Sequence, residues 1–529
     1  MKYDDISKMP LEEKINQTIV ILMNRDTKVD FCPGGAFFFG QIITEADESG
    51  LDELRSYVGD LLENCEIPPL ITSDFENGCG SMVKGLTPLP YLMALGATGD
   101  SRLAYDYGKA TALEARSIGV NWSFSPVSDL NMNRRNPLVN TRSLSDNALL
   151  AEKLLPQIIR GMQDNGISAC AKHFPGDGVD YRDQHITTTI NSLSVDDWRN
   201  TFGRVYKKLI ESGLNSVMAG HIAFPAYASV KDGGHFEKFP ATLNPALIID
   251  LLKGELGFKG IVVTDALGMG GFSGWYESRE ASELEAFKAG CDMMLWPTEG
   301  YAENLKKAVL AGKISMDRIN DAVTRILKVK QQTGLFNRDY KPFRPINPDE
   351  KEFVKQVQRK CSDKSMTLVR DRAHHFPLST SKTPKIGIIP IFEFEPAGED
   401  AKKMATAFRA RGFKVDYCEK SLLTASERRE MYDRNDIIIY VLLSRPFRPM
   451  GFLDYTADRA AQLAGAFSPD KAVKKNIFVS LGSPYFGKQY LELADTYVNG
   501  YSMLGCAAEA FVRASCGEIS FEGKSPVEL

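Results

Sequence analysis

Eight short apolar runs separated by amphipathic stretches fill the first 300 residues of this chain and narrow what it can fold into. They are rich in Val, Ile, Phe and Met and fall at 18–23 (TIVILM), 35–39 (GAFFF), 68–73 (PPLITS), 119–124 (GVNWSF), 168–171 (SACA), 214–219 (LNSVMA), 260–264 (GIVVT) and 291–296 (CDMMLW). Helix-like stretches lie between most of them, at 51–64, 101–118, 147–165, 198–212, 245–256 and 280–289. Continuous apolar runs suit strands buried on both faces, and parallel neighbours need a helical crossover between them. Eight such units predict a (β/α)8 barrel. The first run fits a helix as well as a strand.

The pattern breaks near Asn337. The stretch 337–350 carries prolines and charges without periodicity, and a helix-like segment follows at 351–365. A second βα series then begins, with strands expected at 385–391, 413–418, 436–443, 476–482 and 496–501 and helices near 400–411, 425–432, 454–466 and 507–514. This predicts an open parallel α/β sandwich domain. The expected organisation is a barrel over 1–336, a linker and bridging helix over 337–380, and the α/β domain over 381–529. A chain of 529 residues exceeds one ordinary core, in keeping with two domains. The second series has no Gly-rich nucleotide fingerprint, so no dinucleotide cofactor is expected.

Formal net charge is −4 and no basic stripe stands out, so nucleic acid is not the expected ligand. The start, Met1-Lys2-Tyr3-Asp4-Asp5, is acidic where an export signal needs basic residues, and no run is long and apolar enough to span a bilayer. Nine cysteines are scattered without metal-ligand spacing, which reads as reduced thiols in a cytoplasmic protein, a monomer or homodimer with no membrane partner.

In a (β/α)8 barrel the active site lies at the C-terminal ends of the strands. Ionisable groups follow the apolar runs repeatedly: Asp74 and Glu76 after the third; Asp129 and Arg142 after the fourth; Lys172, His173, Asp177, Asp183 and His185 after the fifth; His221 after the sixth; Asp265 after the seventh. One or two such placements are accidental; this many converging on one mouth make a site. Several carboxylates with an Arg, a Lys and three His suit sugar hydroxyls, whereas the thiol or imidazole set of a tight metal site is missing. Retaining glycoside hydrolysis needs a carboxylate nucleophile and a proton donor. Asp265 ends a β-branched run, with small Ala266 and Gly268 leaving room beside it. His185 lies on a loop that can move, and Asp183 is placed to orient its imidazole. A neutral imidazole also avoids a second anion beside Asp265.

The fragments KHFPGDG…DQH, ITSDFENG, SPVSDLNMNRRNP, NTRS and PATLNPALIIDLLKGELGFKGIVVTDALGMGG resemble glycoside hydrolase family 3, and within it the bacterial β-N-acetylglucosaminidases. The resemblance covers the barrel and, more loosely, the domain after it. It implies that Asp265 is the nucleophile, that His185 with Asp183 is the acid/base dyad, and that Asp74, Arg142, Lys172 and His173 hold the sugar, with Met269 beside them. It implies an exo-acting retaining enzyme on a small-molecule glycoside or amino-sugar oligosaccharide, with no metal. Two positions depart from the family pattern: Asp177 stands where KHFPGHG has His, and Gln184 where a small Ser is common.

Blander readings stand beside these. Asp265 also suits a loop-capping carboxylate, His185 an ordinary loop histidine, and Lys172 with His173 a buried structural pair. Glu76 suits bonding to backbone amides of its own loop, and His221 a structural hydrogen bond. Trp122 and Trp296 read as core. Other functions remain open: a β-glucoside or β-N-acetylglucosaminide phosphorylase or a β-glucosidase on the same fold, a Schiff-base lyase using Lys172, and a non-catalytic sugar-binding protein.

Overall fold

A computed structural model describes residues 6–529 apart from 26, 28, 44, 393–395, 421, 446–474, 486–491 and 493. Each of the eight apolar runs contains or starts a strand: β1 (Ile19–Met23), β2 (Gly35–Phe38), β3 (Leu70–Ser73), β4 (Trp122–Ser123), β5 (Ser168–Phe174), β6 (Ser216–Ala219), β7 (Ile261–Thr264) and β8 (Met294–Leu295). All pair in parallel in chain order, and β8 pairs back onto β1. A further parallel bridge, Val263 to Met293, joins the seventh strand to the eighth. The first run is therefore strand, not helix: Ile19 and Val20 take up register with Met294 and Leu295 across the barrel seam.

Alternation along the strands fills the lumen with side chains. Each strand contributes an inward residue to one cluster, including Val20, Phe37, Leu70, Trp122, Cys170, Met218, Ile261 and Leu295. Trp122 is fully buried, as its apolar neighbours predict, and its indole N–H donates to Ser216 Oγ at 2.8 Å. Trp296, at the end of the eighth strand, packs its ring edge-on to Phe37 at 5.1 Å. The other strand faces meet the outer helices. In Glu48–Glu63, for example, Leu51, Leu54, Val58 and Leu62 recur at helical spacing and are buried, and Asp47 caps the first turn from its side chain. Asp100 and Asn147 cap the helices Ser101–Ser117 and Ala148–Gln163 in the same way.

The helix Pro348–Ser365 opens with Pro at its first turn and an Asn347–Glu350 capping box. The second sheet follows: β9 (Thr367–Asp371), β10 (Lys385–Phe392), β11 (Lys414–Tyr417), β12 (Ile437–Leu443), β13 (Asn476–Ser480) and β14 (Thr496–Asn499), in spatial order β9-β14-β13-β12-β10-β11. Five strands are parallel. The edge strand β9 runs antiparallel to β14 and lies inside the stretch expected as linker and bridging helix. It escaped the sequence reading because its burial is partial and it carries Arg370 and Asp371. The helix expected near 454–466 lies outside the described residues.

The two parts are joined by specific contacts. Asn131 Nδ2 donates to Tyr485 Oη at 2.6 Å, and Asn140 Nδ2 to Ser483 Oγ at 3.4 Å. The C-terminal tail returns to the barrel: Lys524 N donates to Ala97 O at 3.0 Å, Ser145 Oγ to Pro526 O, and Glu528 N to Asp146 Oδ2 at 2.7 Å. Val527 is buried there.

Candidate active site

The C-terminal strand ends open into a cavity of about 560 Å³ whose lining includes Asp74, Glu76, Arg142 and His185 from the barrel and Arg445 and Leu504 from the second domain. Tyr91 lies between them, with the Arg445 guanidinium 5.1 Å from its ring centre. The cavity therefore belongs to both domains.

Its floor is a four-member ionic network. Lys172, at the end of β5, places Nζ 2.7 Å from both Asp74 Oδ1 and Glu76 Oε1. Arg142 reaches Glu76 with two nitrogens, Nε at 2.8 Å and Nη2 at 2.7 Å. Burial alone would lift the Glu76 carboxyl, but Arg142 and Lys172 outweigh it and hold Glu76 well below its ordinary range. Burial likewise pulls Lys172 down, while Asp74 and Glu76 drive it above its ordinary value. Lys172 is thus a firmly held ammonium. A Schiff-base nucleophile needs a depressed lysine, so the geometry opposes that reading. Glu76 does not serve backbone amides of its own loop; it couples the two cations.

A second network lies beside it. His173 N and Asp177 N donate to Asp129 Oδ1 at 3.0 and 2.8 Å, and His173 Nδ1 is 2.7 Å from Asp129 Oδ2. His173 Nε2 faces Asp265 Oδ2 at 3.9 Å. Burial would lower His173, yet Asp129 and then Asp265 leave it raised. Burial would raise Asp265, yet His173, His221, His185 and the Ala266 N–H, which donates to Asp265 Oδ1 at 2.8 Å, leave it lowered. Asp265 is therefore held as a carboxylate although it is only 9% exposed. Its strand, Ile261–Thr264, is buried throughout and fixes its backbone.

His185 and Asp183 form a third unit. Asp183 Oδ1 lies 2.8 Å from His185 Nδ1 and also accepts from the His185 backbone N–H at 2.9 Å. Asp183 is buried, whereas the His185 side chain is 38% exposed and lines the cavity. With Nδ1 committed to Asp183, proton exchange with a ligand falls to Nε2. Of the residues expected around the sugar, Asp74, Arg142 and His185 line the cavity, whereas Asp265, Lys172, His173 and Met269 are buried behind that lining, Met269 on the turn after Asp265. His221 is fully buried, its Nδ1 3.0 Å from Thr242 Oγ1 and its Nε2 3.1 Å from Ala266 O.

Asp129 received no role from the sequence, although it closes the SPVSD segment after β4. The structure gives it one, as partner of His173. Arg445 was missed altogether, because a residue of the second domain shows no sequence link to a barrel mouth.

An ionised carboxylate, an Asp-oriented imidazole and a charged, hydrogen-bonding floor at the mouth of a β/α barrel suit a glycosidase. Comparison with known proteins agrees. The model of the glycosyl hydrolase family 3 N-terminal domain matches residues 11–329, and the chain belongs to glycoside hydrolase family 3. It is 30% identical over 489 residues to a β-N-acetylglucosaminidase/β-glucosidase of Cellulomonas fimi, covering 88% of this chain and 85% of that protein. Among solved structures, the β-glucoside phosphorylase BglX is similar with a TM-score of 0.87 at 27% identity, over 99% of this chain and 94% of that one. A family 3 β-N-acetylglucosaminidase from Paenibacillus sp. str. FPU-7 has a TM-score of 0.82 at 27% identity, over 98% and 99% of the two chains.

Proposed function

We propose that this glycoside hydrolase is an exo-acting retaining β-N-acetylglucosaminidase, with Asp265 as nucleophile and His185, oriented by Asp183, as acid/base. The observation that carries this is the pairing of Asp265, held ionised among three histidines, with an Asp183–His185 unit on the cavity wall. In the first step the Asp265 carboxylate attacks the anomeric carbon while His185 Nε2 gives its proton to the departing oxygen. In the second, His185 removes a proton from water, which attacks the same carbon and releases Asp265. Asp74, Arg142, Lys172 and His173 hold the sugar hydroxyls. The N-acetyl preference rests on the similarity to the Cellulomonas protein, whose name carries both N-acetylglucosaminidase and glucosidase activities.

Phosphorolysis is a second reading. A neutral imidazole base does not repel an incoming phosphate as a carboxylate would, and a β-glucoside phosphorylase matches almost the whole chain. We place the activity in the cytoplasm, on small-molecule glycosides or amino-sugar oligosaccharides, in a monomer or homodimer. The cysteines are free thiols, and no helix among the described residues is long and apolar enough to cross a membrane.

Initial rates on aryl β-N-acetylglucosaminide and β-glucoside, with and without phosphate, test this. A preference for the N-acetyl substrate and a free reducing sugar as product support it. A sugar 1-phosphate as main product moves the assignment to phosphorylase; preference for the glucoside overturns the substrate.

A further inference from the structure

The residue between Asp183 and His185 reaches toward the nucleophile instead of solvent. Gln184 is fully buried, and its Oε1 accepts a hydrogen bond from the backbone N–H of His221 at 2.9 Å. Burial pulls His221 below its ordinary value, with Asp265 opposing. Its Nε2 donates to the carbonyl of Ala266, next to Asp265, at 3.1 Å, and its Nδ1 lies 3.0 Å from Thr242 Oγ1.

The two loops also meet through their main chains. Gly270 N donates to His185 O at 2.8 Å and Gly271 N to Gln184 O at 3.0 Å. Neither glycine has room for a side chain: a Cβ on Gly270 would stand 2.2 Å from Ile186 O, and one on Gly271 2.6 Å from Gln184 O. Thr188 Oγ1 adds a bond to Gly271 O at 2.7 Å. The loop carrying His185 is docked onto the loop carrying Asp265.

We propose that Gln184 is a positioning residue that fixes His185 relative to Asp265, acting through His221 and the Ala266 carbonyl. This rests on the reading of His185 as acid/base and Asp265 as nucleophile. The amide oxygen, not the bulk of the side chain, is the working part. Gln184 Nε2 is buried without a hydrogen-bond partner among the described residues, so packing alone favours an apolar side chain of the same volume. Proton delivery needs hydrogen-bond reach to the departing oxygen, and a misplacement of about 1 Å costs on the order of 100-fold. That loss falls on substrates whose leaving group needs a proton and spares those whose leaving group departs unaided.

The test measures kcat/KM, which reports the first step, on a dinitrophenyl and an alkyl β-glycoside for wild type, Gln184→Met, Gln184→Ser, Gln184→Glu and His185→Ala, with melting temperatures for each. Gln184→Met keeps the volume and removes the acceptor; Gln184→Glu keeps both. Removing the acceptor is expected to lower the rate on the alkyl glycoside by roughly 100-fold and on the dinitrophenyl glycoside by less than about tenfold, with the protein still fully folded at the assay temperature although the unpaired His221 N–H lowers its melting point. Gln184→Glu is expected to restore the alkyl rate, with the basic limb of its pH profile moved upward by the added carboxylate. If Gln184→Met does not fold, Gln184→Ser carries the same expectation. Wild-type rates in Gln184→Met or Gln184→Ser, with the split present in His185→Ala, overturn the positioning role alone. Absence of the split in His185→Ala overturns the acid/base reading and this proposal with it.

Discussion

His173 Nε2 stands 3.9 Å from Asp265 Oδ2, with the other ring nitrogen held by Asp129. The two groups support each other's charged forms. His173, raised, adds stability that is fully present below its unfolded pKa and is lost as pH rises through its folded value. Asp265, lowered, adds stability present above its unfolded pKa and lost as pH falls through its folded value. Asp129→Asn removes the main support of the imidazolium. It is expected to lower kcat/KM by roughly tenfold or more, each 1.36 kcal/mol of lost charge stabilisation being tenfold. The high-pH decline in thermal stability should begin at lower pH than in wild type, which pH-dependent melting curves check.

Asp177 makes an opposite prediction. Burial, then the Asp129 charge, pushes its carboxyl up to about 7, and its Oδ2 has no hydrogen-bond partner among the described residues. Between the unfolded carboxyl range and this folded value the native state holds the extra proton, so stability falls as pH rises through the window. Asp177→Asn removes that dependence. It is expected to melt close to wild type near pH 4, at the foot of that window, and above it at pH 8, by a few kcal/mol, on the order of 4 at most. Equal differences at both pH values would contradict the assignment.

Glu76 joins Arg142 and Lys172 at the cavity floor. Glu76→Ala leaves two cations facing each other at a site where Lys172 is only 3% exposed. Breaking a buried pair costs about 3–5 kcal/mol. Chemical denaturation should register a loss of that order, and steady-state kinetics a rise in KM as the floor that holds the sugar rearranges.

The tail supplies a prediction far from the chemistry. Deleting residues 525–529 removes buried Val527 and the bonds from Ser145 to Pro526 and from Glu528 to Asp146. Burial of one Val is about 1.5 kcal/mol and each hydrogen bond about 1 kcal/mol. The truncated chain is expected to melt a few degrees lower, about 3 °C, in a calorimeter scan.

Much of this was legible in the chain. Seven of the eight barrel strands sit within the apolar runs and the fifth starts in one, because strands buried on both faces are mostly apolar; the fifth runs on through Lys172 and His173 to Phe174. The D-x-H spacing brought Asp183 and His185 together because two residues of separation let a carboxylate reach its neighbour's imidazole. What stayed hidden depended on contacts distant in sequence. Asp129 meets His173 across 44 residues and Arg142 meets Glu76 across 66. Arg445 reaches the cavity only once the second domain has docked. Strand β9 was lost to its polar residues, which a covered edge tolerates and an apolar-run criterion does not.

The most direct measurement is covalent trapping. An activated fluorosugar fluoride of the preferred substrate forms the glycosyl-enzyme quickly, and its electron-withdrawing fluorine slows hydrolysis. Peptide mass spectrometry after proteolysis should find one sugar residue on the peptide containing Asp265, and none on Asp265→Ala. A label on another carboxylate, or turnover with inversion at the anomeric carbon and no label, would contradict the account.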